Sequence, residues 1–323
     1  MIRKIRKITA VAAMAVTMMV GTTVLSSCEY KDLGDFPVSE KIRVGLHFDW
    51  KNVDSIPKSM RVVFYPENYE TYARGYTFYD VLNRDTTIQI TTGTYDVTAW
   101  NRDTEYVITG GYSRKNTAFS TTGEYSPHGS VAIPHVLDSI YGGQKVLDYP
   151  DYMVHGNLTD CELKSDTTIT VTPDSMVVTV EVRLNGIRSL ELVRNIRGAI
   201  NNVAGRRYMA YDNLTDNLVA VMYDGKRSIE NNRIVAKFWV FGIEPTDESK
   251  IRHKVVFFIW LDNGQVYIPV DVTEAVARYS KDDKYILIET KDLDIDLAEY
   301  MKAGGMSVNA EDWDNTEEIH IAF

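Results

Sequence analysis

The chain has 323 residues, of which 44% are hydrophobic and 25% are charged, and its formal net charge is −10. This composition is typical of a soluble globular protein with one or two hydrophobic cores, and it excludes a disordered or low-complexity chain. The acidic balance excludes a basic surface of the kind that binds nucleic acid or adheres to anionic lipid.

The first predicted element is a lipoprotein signal peptide over residues 1–27. A basic segment, MIRKIRK, precedes an apolar stretch over residues 8–25 that threonines and a glycine interrupt. Such a stretch is typical of a secretory signal and not of a permanent membrane span. It ends in LSSC at residues 25–28, which resembles the bacterial lipobox. The resemblance implies cleavage before Cys28, lipidation of its thiol and acylation of the new amine with a fatty acid such as palmitate. The alternative interpretation is a plain signal peptide with a chance cysteine.

Residues 28–40 are predicted to form a tether. The sequence EYKDLGDFP, residues 29–37, is acidic and rich in turn-forming residues. It resembles the acidic export signal that carries lipoproteins of Bacteroidales-type bacteria to the outer face of the outer membrane. The other interpretation is a solvated spacer without a sorting role.

Short strands at about ten-residue spacing predict a first β-sandwich domain over residues 41–173. Apolar residues alternate from Ile42 to Trp50, so one face of the first strand is expected to be buried. Gly93 is predicted to form a tight hairpin turn between two of the strands. Two strands that follow an irregular segment, residues 103–155, are expected to complete the sandwich. The predicted strands cover residues 41–50, 60–65, 75–81, 86–91, 95–101, 158–163 and 167–172.

A second β-sandwich domain is predicted over residues 174–323, after a boundary at Pro173. The pair Asn185-Gly186 is predicted to be a turn. The segment 190–203 mixes helical with strand-like spacing, so its type stays open. The predicted strands cover residues 176–184, 218–222, 233–241, 254–261, 266–270, 285–288 and 319–323.

Two local signals lie within this second domain. The sequence Asp-Asn-Gly at residues 262–264 predicts a hairpin turn. The sequence Asp-Val-Thr at residues 271–273 is expected to cap a short helix that ends at Ala277.

The chemistry-bearing residues do not form a recognisable catalytic pattern. Cys161 is the only cysteine besides Cys28, so no disulfide framework is available. His128 and His135 share a loop with Asp138, but chance exposure explains this grouping better than a metal site. No nucleophile, phosphate-binding or dinucleotide motif occurs, so we expect no catalytic residue, no metal or other cofactor, and no enzymatic activity. Carboxylates are plentiful, so the sequence leaves a glycosidase-type pair open, although no placement singles out one pair.

The irregular segment carries a set of aromatic residues with two interpretations. They could stack on sugars, or they could pack this segment against the sandwich, and packing is the favoured interpretation. The residues are Tyr112, Phe119, Tyr125, Tyr141, Tyr149 and Tyr152.

A repeated tripeptide predicts a modification. Asp followed by Ser or Thr and then by an aliphatic residue or Thr resembles the O-glycosylation signal of exported proteins in these bacteria. The hydroxyl would carry the glycan, and each site must be exposed. Ordinary turn chemistry explains the pattern equally well. The candidate residues are Ser55, Thr86, Ser139, Thr167 and Ser175.

Several motifs together resemble one protein family. GTYDVTAWN at residues 93–101 is similar to a hairpin of the fimbrillin-associated anchor lipoproteins of Bacteroidales. VEVRLNG at residues 180–186 and the Asn-rich segment 195–205 are similar to the opening of their second domain, and residues 270–273 and 304–313 also fit. The resemblance extends to a related, uncharacterised lipoprotein family of the same bacteria. It implies two tandem transthyretin-like β-sandwich domains behind a lipobox.

The resemblance also implies a function. Members anchor or assemble a fimbrium at the outer membrane, and they bind a pilin-like subunit by adding its strand to an open sheet edge. We therefore expect a lipid-anchored cell-surface protein whose partner is a fimbrial subunit or another surface protein. The alternative is a carbohydrate-binding surface lipoprotein of a glycan-uptake system.

Overall fold

The computed structural model describes most of the chain between residues 40 and 302. The signal peptide, Cys28, Ser139 and the predicted last strand lie outside the described residues. The described residues are 40–66, 76–110, 114, 118–121, 143–215, 217–243, 251–262, 264–280 and 282–302.

Strands dominate this part of the chain, so the predicted all-β class is confirmed. Up to residue 175 the strands are β1 (Lys41–Phe48), β2 (Ser59–Pro66), β3 (Thr77–Leu82), β4 (Thr86–Thr91), β5 (Gly93–Asn101), β6 (Val107–Gly110), β7 (Ala118–Thr121), β8 (Val146–Asp148), β9 (Val154–Leu163), β10 (Thr167–Val171) and β11 (Asp174–Ser175). The remaining elements are β12 (Val178–Arg188), β13 (Asn195–Ala204), β14 (Arg206–Tyr208), β15 (Asn213–Leu214), β16 (Leu218–Ser228), β17 (Arg233–Val240), β18 (Lys254–Leu261), β19 (Gly264–Asp271), α1 (Thr273–Ala277), β20 (Tyr285–Asp296) and α2 (Leu297–Lys302).

The first module is a sandwich of two sheets. One sheet has the strand order β10-β1-β4, and the other has the order β11-β9-β5-β2-β3. Alternate residues of β1, from Ile42 to Phe48, are buried as predicted, because side chains in a strand point to opposite faces. They pack against Val62 and Phe64 of β2 and Val97 of β5 in one core.

The second module is built on a longer sheet with the order β19-β18-β13-β16-β17-β12-β20. Strand β16 belongs to both halves of this sheet: residues 218–224 pair with β13, whereas residues 225–228 pair with β17. The sheet therefore folds over at β16, and its two halves enclose one core. Tyr223 lies at the centre of that core, stacked on Phe238 with ring centroids 4.1 Å apart.

The predicted hairpin at Gly93 is wrong. Strand β4 pairs with β1 in one sheet, whereas β5 lies between β9 and β2 in the other. The chain therefore crosses from one sheet to the other between β4 and β5, and Gly93 is the first residue of β5. A glycine next to two strands does not distinguish a hairpin from a crossing, because both need a sharp change of chain direction.

The predicted turn at Asn185-Gly186 is also wrong. Strand β12 continues to Arg188, and the register of its pairing with β20 shifts on either side of Asn185. Gly186 has a φ of +77°, and a Cβ there would lie 1.7 Å from Oδ1 of Asp292. The glycine thus permits a β-bulge inside a long strand. The predicted hairpin at residues 262–264 is confirmed, because Leu261 pairs with Gly264.

The segment that the sequence left open, residues 190–203, is a 3₁₀ turn over Leu190–Leu192 followed by β13. Two described strands of the irregular segment pair with the second module. Strand β7 pairs with β14, and β8 runs parallel to β16. The chain thus supplies strands to the second module before it reaches residue 174. The domain boundaries at residues 41, 173 and 174 stay predictions.

We expect Gly198→Ala to lower the free energy of unfolding by about 1–3 kcal/mol, because it overpacks the second core. Gly198 lies opposite Tyr223, and an added Cβ would lie 2.3 Å from the Tyr223 ring. Gly110→Ala is the control, since nothing lies within 4 Å of a Cβ built there. Urea denaturation of both variants checks the prediction, and an equal effect at the two positions would contradict it.

Candidate functional site: the edge of strand β3

The edge strands of the sheets are the candidate binding sites, because an edge presents unpaired N–H and C=O groups to another chain. The sequence predicts binding at such an edge without identifying which one. Within the described residues, the sheets end at β10, β4, β11, β3, β19, β20, β15 and β6, and the three-residue strand β8 forms a further short edge beside β16.

Most of these edges are protected by a specific feature. On β4, the carbonyl oxygens of Gln89 and Thr91 accept hydrogen bonds from the hydroxyls of Tyr79 and Tyr95. Strand β19 contains Pro269, which has no N–H to donate. Strands β11 and β15 have only two residues each. On β20, both backbone groups of Leu287 are bonded to a tyrosine hydroxyl.

Strand β3 has none of these features in the described structure. Its six residues pair with β2 on one side only. Because side chains alternate, Tyr79 and Val81 point to the first core, whereas Phe78 and Leu82 point outward. Phe78 is 48% exposed and Leu82 is 51% exposed, and Tyr76 just before the strand is 38% exposed. The outer face of β3 is therefore an apolar row beside an open edge.

The one charged residue in this row is neutralised. Asp80 accepts two hydrogen bonds of 2.7 Å from the guanidinium of Arg61 on β2. These hydrogen bonds hold the pKa of Asp80 below its usual value and that of Arg61 above it. The guanidinium also lies 4.5 Å from the centre of the Phe78 ring, at cation–π distance. The row consequently offers apolar and aromatic surface without an unpaired charge.

The apolar row is continuous with the junction of the two modules. The ring of Tyr76 lies 5.9 Å from that of Tyr65, which is buried in the junction. Both modules belong to one compact unit, residues 42–323. The junction residues are Val63, Tyr65, Trp100 and Met153 of the first module, Met176 and Val177 of the connection, and Met209 and Phe241 of the second module.

An ion pair between the buried Arg207 and the half-exposed Asp212 at this junction was not predicted from the sequence. Nε of Arg207 donates to Asp212 at 2.6 Å, and Nε2 of His155 lies 3.4 Å from the same carboxylate oxygen. The Arg207 side chain, which is 7% exposed, also donates to the carbonyl oxygens of Met176 and Phe241. One guanidinium thus joins the second module to the connection between the modules.

The environment of Asp212 favours its charged form. Burial raises its pKa, but the hydrogen bonds from His155 and Arg207 outweigh burial, so the pKa lies well below its usual value. Arg207 and Asp212 are five residues apart, but His155 is distant in sequence, and no local motif links the three. Only the folding of β9 against the β14 region brings them together.

The predicted modification residues differ in exposure. Ser55 and Thr167 are exposed, and Thr86 is partly exposed at the start of β4. Ser175 is 6% exposed, and its hydroxyl donates to the carbonyl oxygen of Val177 at 2.8 Å. It does not meet the required exposure, because its chain segment is packed into the junction, and we withdraw this site. Glycosylation at Ser55, Thr86 and Thr167 stays a prediction; Cys28 and Ser139 lie outside the described residues.

Tyr149 and Tyr152 pack inward, which agrees with the favoured interpretation for these two residues, whereas Tyr112, Tyr125 and Tyr141 lie outside the described residues. Tyr149 packs against the second core, and the ring of Tyr152 lies 5.8 Å from that of Trp239. Cys161 is half-buried in β9, where burial raises the pKa of its thiol.

Two kinds of feature are absent from the described residues. No group of three or more His, Cys, Asp or Glu side chains there is placed to hold a metal ion. No helix in the described part of the chain is long and apolar enough to cross a membrane. The expected lack of enzymatic activity stays a prediction.

We expect Asp212→Asn to lower the free energy of unfolding at neutral pH by about 2 kcal/mol, because it leaves the charge of the buried Arg207 uncompensated. Asparagine tolerates the left-handed backbone at this position, where φ is 54°. Because the folded-state pKa of Asp212 is lowered, the stabilisation is complete above about pH 4 and is lost as the pH falls.

Denaturation of the parent chain and of the Asp212→Asn variant, from neutral pH down to pH 2, checks the prediction. Asp85→Asn is the control, since Asp85 contacts His47 in a pair that is largely exposed and contributes little. An equal loss for both variants, or a constant difference down to pH 2, would contradict the assignment.

Comparison with known proteins places the fold in a known group. The chain is similar to a crystal structure described as a "putative adhesin" from Bacteroides ovatus, with 19% identity, coverage of 81% of this chain and 93% of that chain, and a TM-score of 0.58. It is also similar to the fimbrial anchor protein Mfa2 from Porphyromonas gingivalis, with 13% identity, coverage of 78% and 90%, and a TM-score of 0.46. Among curated proteins, none matches the sequence significantly.

The predicted resemblance is confirmed in its broader form, as membership of a related family whose fold is shared with a Bacteroides protein. The model of that family matches residues 27–224, more than half of the chain. The chain belongs to the family described as Domain of unknown function (DUF5119).

Proposed function

We propose that this chain is a lipid-anchored protein of the bacterial outer membrane surface that anchors or assembles a fimbrium. It binds a pilin-like subunit by adding a strand of that subunit to β3. The observation that carries this proposal is the β3 edge, which is six residues long, has no partner among the described residues and exposes Phe78 and Leu82. The described fold supports a binding role, and we propose that the protein does not catalyse a reaction.

The β3 edge offers two kinds of interaction to an incoming strand. The unpaired backbone groups of β3 can form a new ladder of hydrogen bonds, which supplies affinity with little dependence on sequence. The outer row of Tyr76, Phe78 and Leu82 can receive apolar side chains from alternate positions of that strand. A partner strand with apolar residues at every second position fits both features.

The anchor places this edge at the membrane surface. Lipidation at Cys28 would leave twelve residues before β1 begins at Lys41. A fully extended tether of this length reaches about 40 Å. This reach is an upper limit on the distance between the lipid headgroups and β1.

The comparisons support the proposal without carrying it. The Bacteroides ovatus structure is described as a "putative adhesin". Its identity of 19% relates it to this chain by fold alone, so the role of this chain depends on its own edge. Glycan binding in an uptake system is the competing function, and the experiments below distinguish the two.

We expect Cys28→Ser to abolish lipidation, because a hydroxyl does not replace the thiol that accepts the lipid. In cells supplied with radiolabelled palmitate, the parent chain should be labelled and should remain in the membrane fraction. The variant should be unlabelled and released. Cys161→Ser is the control, since it changes the other cysteine of the chain. Labelling of the Cys28 variant would contradict the lipid anchor.

We expect a photo-crosslinking phenylalanine analogue at position 78 to capture a fimbrial subunit in the native bacterium. Mass spectrometry should locate the crosslink in an extended segment with alternating apolar residues. The same analogue at position 229 is the control, because Ile229 is similarly exposed, at 50%, but lies outside β3.

Adding Leu82→Lys should reduce the crosslink at position 78 at least about tenfold, because a lysine on an edge strand disfavours pairing. Crosslinks that are equal at positions 78 and 229 would contradict the β3 site. Crosslinks to uptake porins, together with binding to purified glycans, would favour the competing function.

A further inference from the structure

The edge of β20 would accept another chain as readily as β3 does if it were not closed. Strand β20 has twelve residues and ends its sheet in the described structure, since β12 is its one partner strand among the described residues. Successive residues of a strand direct their backbone groups to opposite sides. The carbonyl oxygen of Lys284, just before β20, points to β12, where it accepts a hydrogen bond from the N–H of Thr179. The backbone groups of Tyr285, Leu287 and Glu289 consequently point to the outer edge.

A single hydroxyl occupies the centre of this outer edge. The N–H of Leu287 donates to the Tyr279 hydroxyl at 3.0 Å, and this hydroxyl donates to the carbonyl oxygen of Leu287 at 2.8 Å. Tyr279 follows α1 and packs its ring against the second core. The hydroxyl therefore satisfies both groups that a neighbouring strand would use at this position.

Among the described residues, the space beside this contact is open. A groove of about 240 Å³ lies between α1 and β20, and its lining includes Ala275 and Tyr279 on one side and Leu287, Glu289 and Lys291 on the other. The edge is thus closed by the tyrosine contact at Leu287 and is not covered along its whole length.

The sequence of β20 is suited to pairing with a second copy of itself. In an antiparallel pair centred on Leu287, the two Leu287 residues would exchange both of their backbone hydrogen bonds. Ile286 would then face Ile288, and Tyr285 would face Glu289. Lys284 would lie opposite Thr290, so no like charges would oppose each other over this stretch.

We propose that Tyr279 is a specificity-determining residue that closes the β20 edge and prevents two copies of this chain from pairing through it. The protein then presents β3, and not β20, to other chains. This inference uses the same physics of open edges as the proposed function, but its test distinguishes pairing through β20 from pairing through β3.

Analytical ultracentrifugation of the full chain in detergent tests the proposal between about 1 and 100 μM. We expect the parent chain to be monomeric and Tyr279→Ala to form dimers within this range, because the ring and hydroxyl that occupy the edge are removed. Tyr285→Ala is the matched control. Tyr285 lies on β20 itself, and its hydroxyl donates to the Glu181 side chain and not to a backbone group. A folded Tyr279→Ala variant that stays monomeric would overturn the proposal.

The edge that mediates the dimer can be identified by adding Leu82→Lys to Tyr279→Ala. Dimers that persist in the double variant support pairing through β20. Dimers that disappear would show pairing through β3, which would overturn the inference while leaving the proposed β3 site intact.

A second measurement covers the case in which Tyr279→Ala does not fold. Tyr279→Phe keeps the ring in the core and removes only the hydroxyl. Hydrogen exchange at the Leu287 amide should be about tenfold faster in this variant, the factor that corresponds to the loss of one hydrogen bond. Amides of β17 serve as the internal control, and an unchanged rate at Leu287 would overturn the proposal.

Discussion

The unpaired backbone groups along the outer strands of the sheets are the constraint on which the rest of this structure depends. An all-β chain with several separate sheets has many edges, and each edge is able to bind another chain. This protein closes its edges in different ways. Strand β4 uses the hydroxyls of Tyr79 and Tyr95, β19 uses Pro269, and β20 uses Tyr279.

The exposed apolar row on β3 indicates a binding site because several of the other edges are closed. An exposed Phe78 alone would be ordinary, because folded proteins leave much apolar surface in water. Here it lies on an edge that lacks the features found at β4, β19 and β20, beside a charge that Arg61 already compensates. The combination of a six-residue open ladder and an apolar row distinguishes β3 from the closed edges of β4, β19 and β20.

The junction between the modules places buried aromatic residues next to the apolar row on β3. The outer faces of β2 and β5 are covered by the second module, through Tyr65 and Trp100. Strand β3 lies one strand beyond β2 in the same sheet, so its outer face continues that covered surface. The ion pair of Arg207 with Asp212 stabilises the chain at the same junction.

Much of the fold could be predicted from local pattern alone, because burial of one strand face requires apolar residues at every second position. The alternation from Ile42 to Phe48 predicted the buried face of β1, and the residues before Ala277 predicted α1. Local signals did not determine connectivity. Gly93 suits a hairpin and a crossing equally, and Asn185-Gly186 suits a turn and a bulge, since each needs only an unusual backbone conformation.

By itself, the sequence determined the all-β class, the positions of most strands and the predicted lipid anchor, since each follows from residues that are close together in the chain. The tertiary structure decided which strands became edges and which edges were closed. It also decided that Ser175 is buried and that His155 meets Asp212. These properties depend on contacts between residues that are distant in sequence, and no local pattern records which distant groups will satisfy a given N–H, C=O or charge.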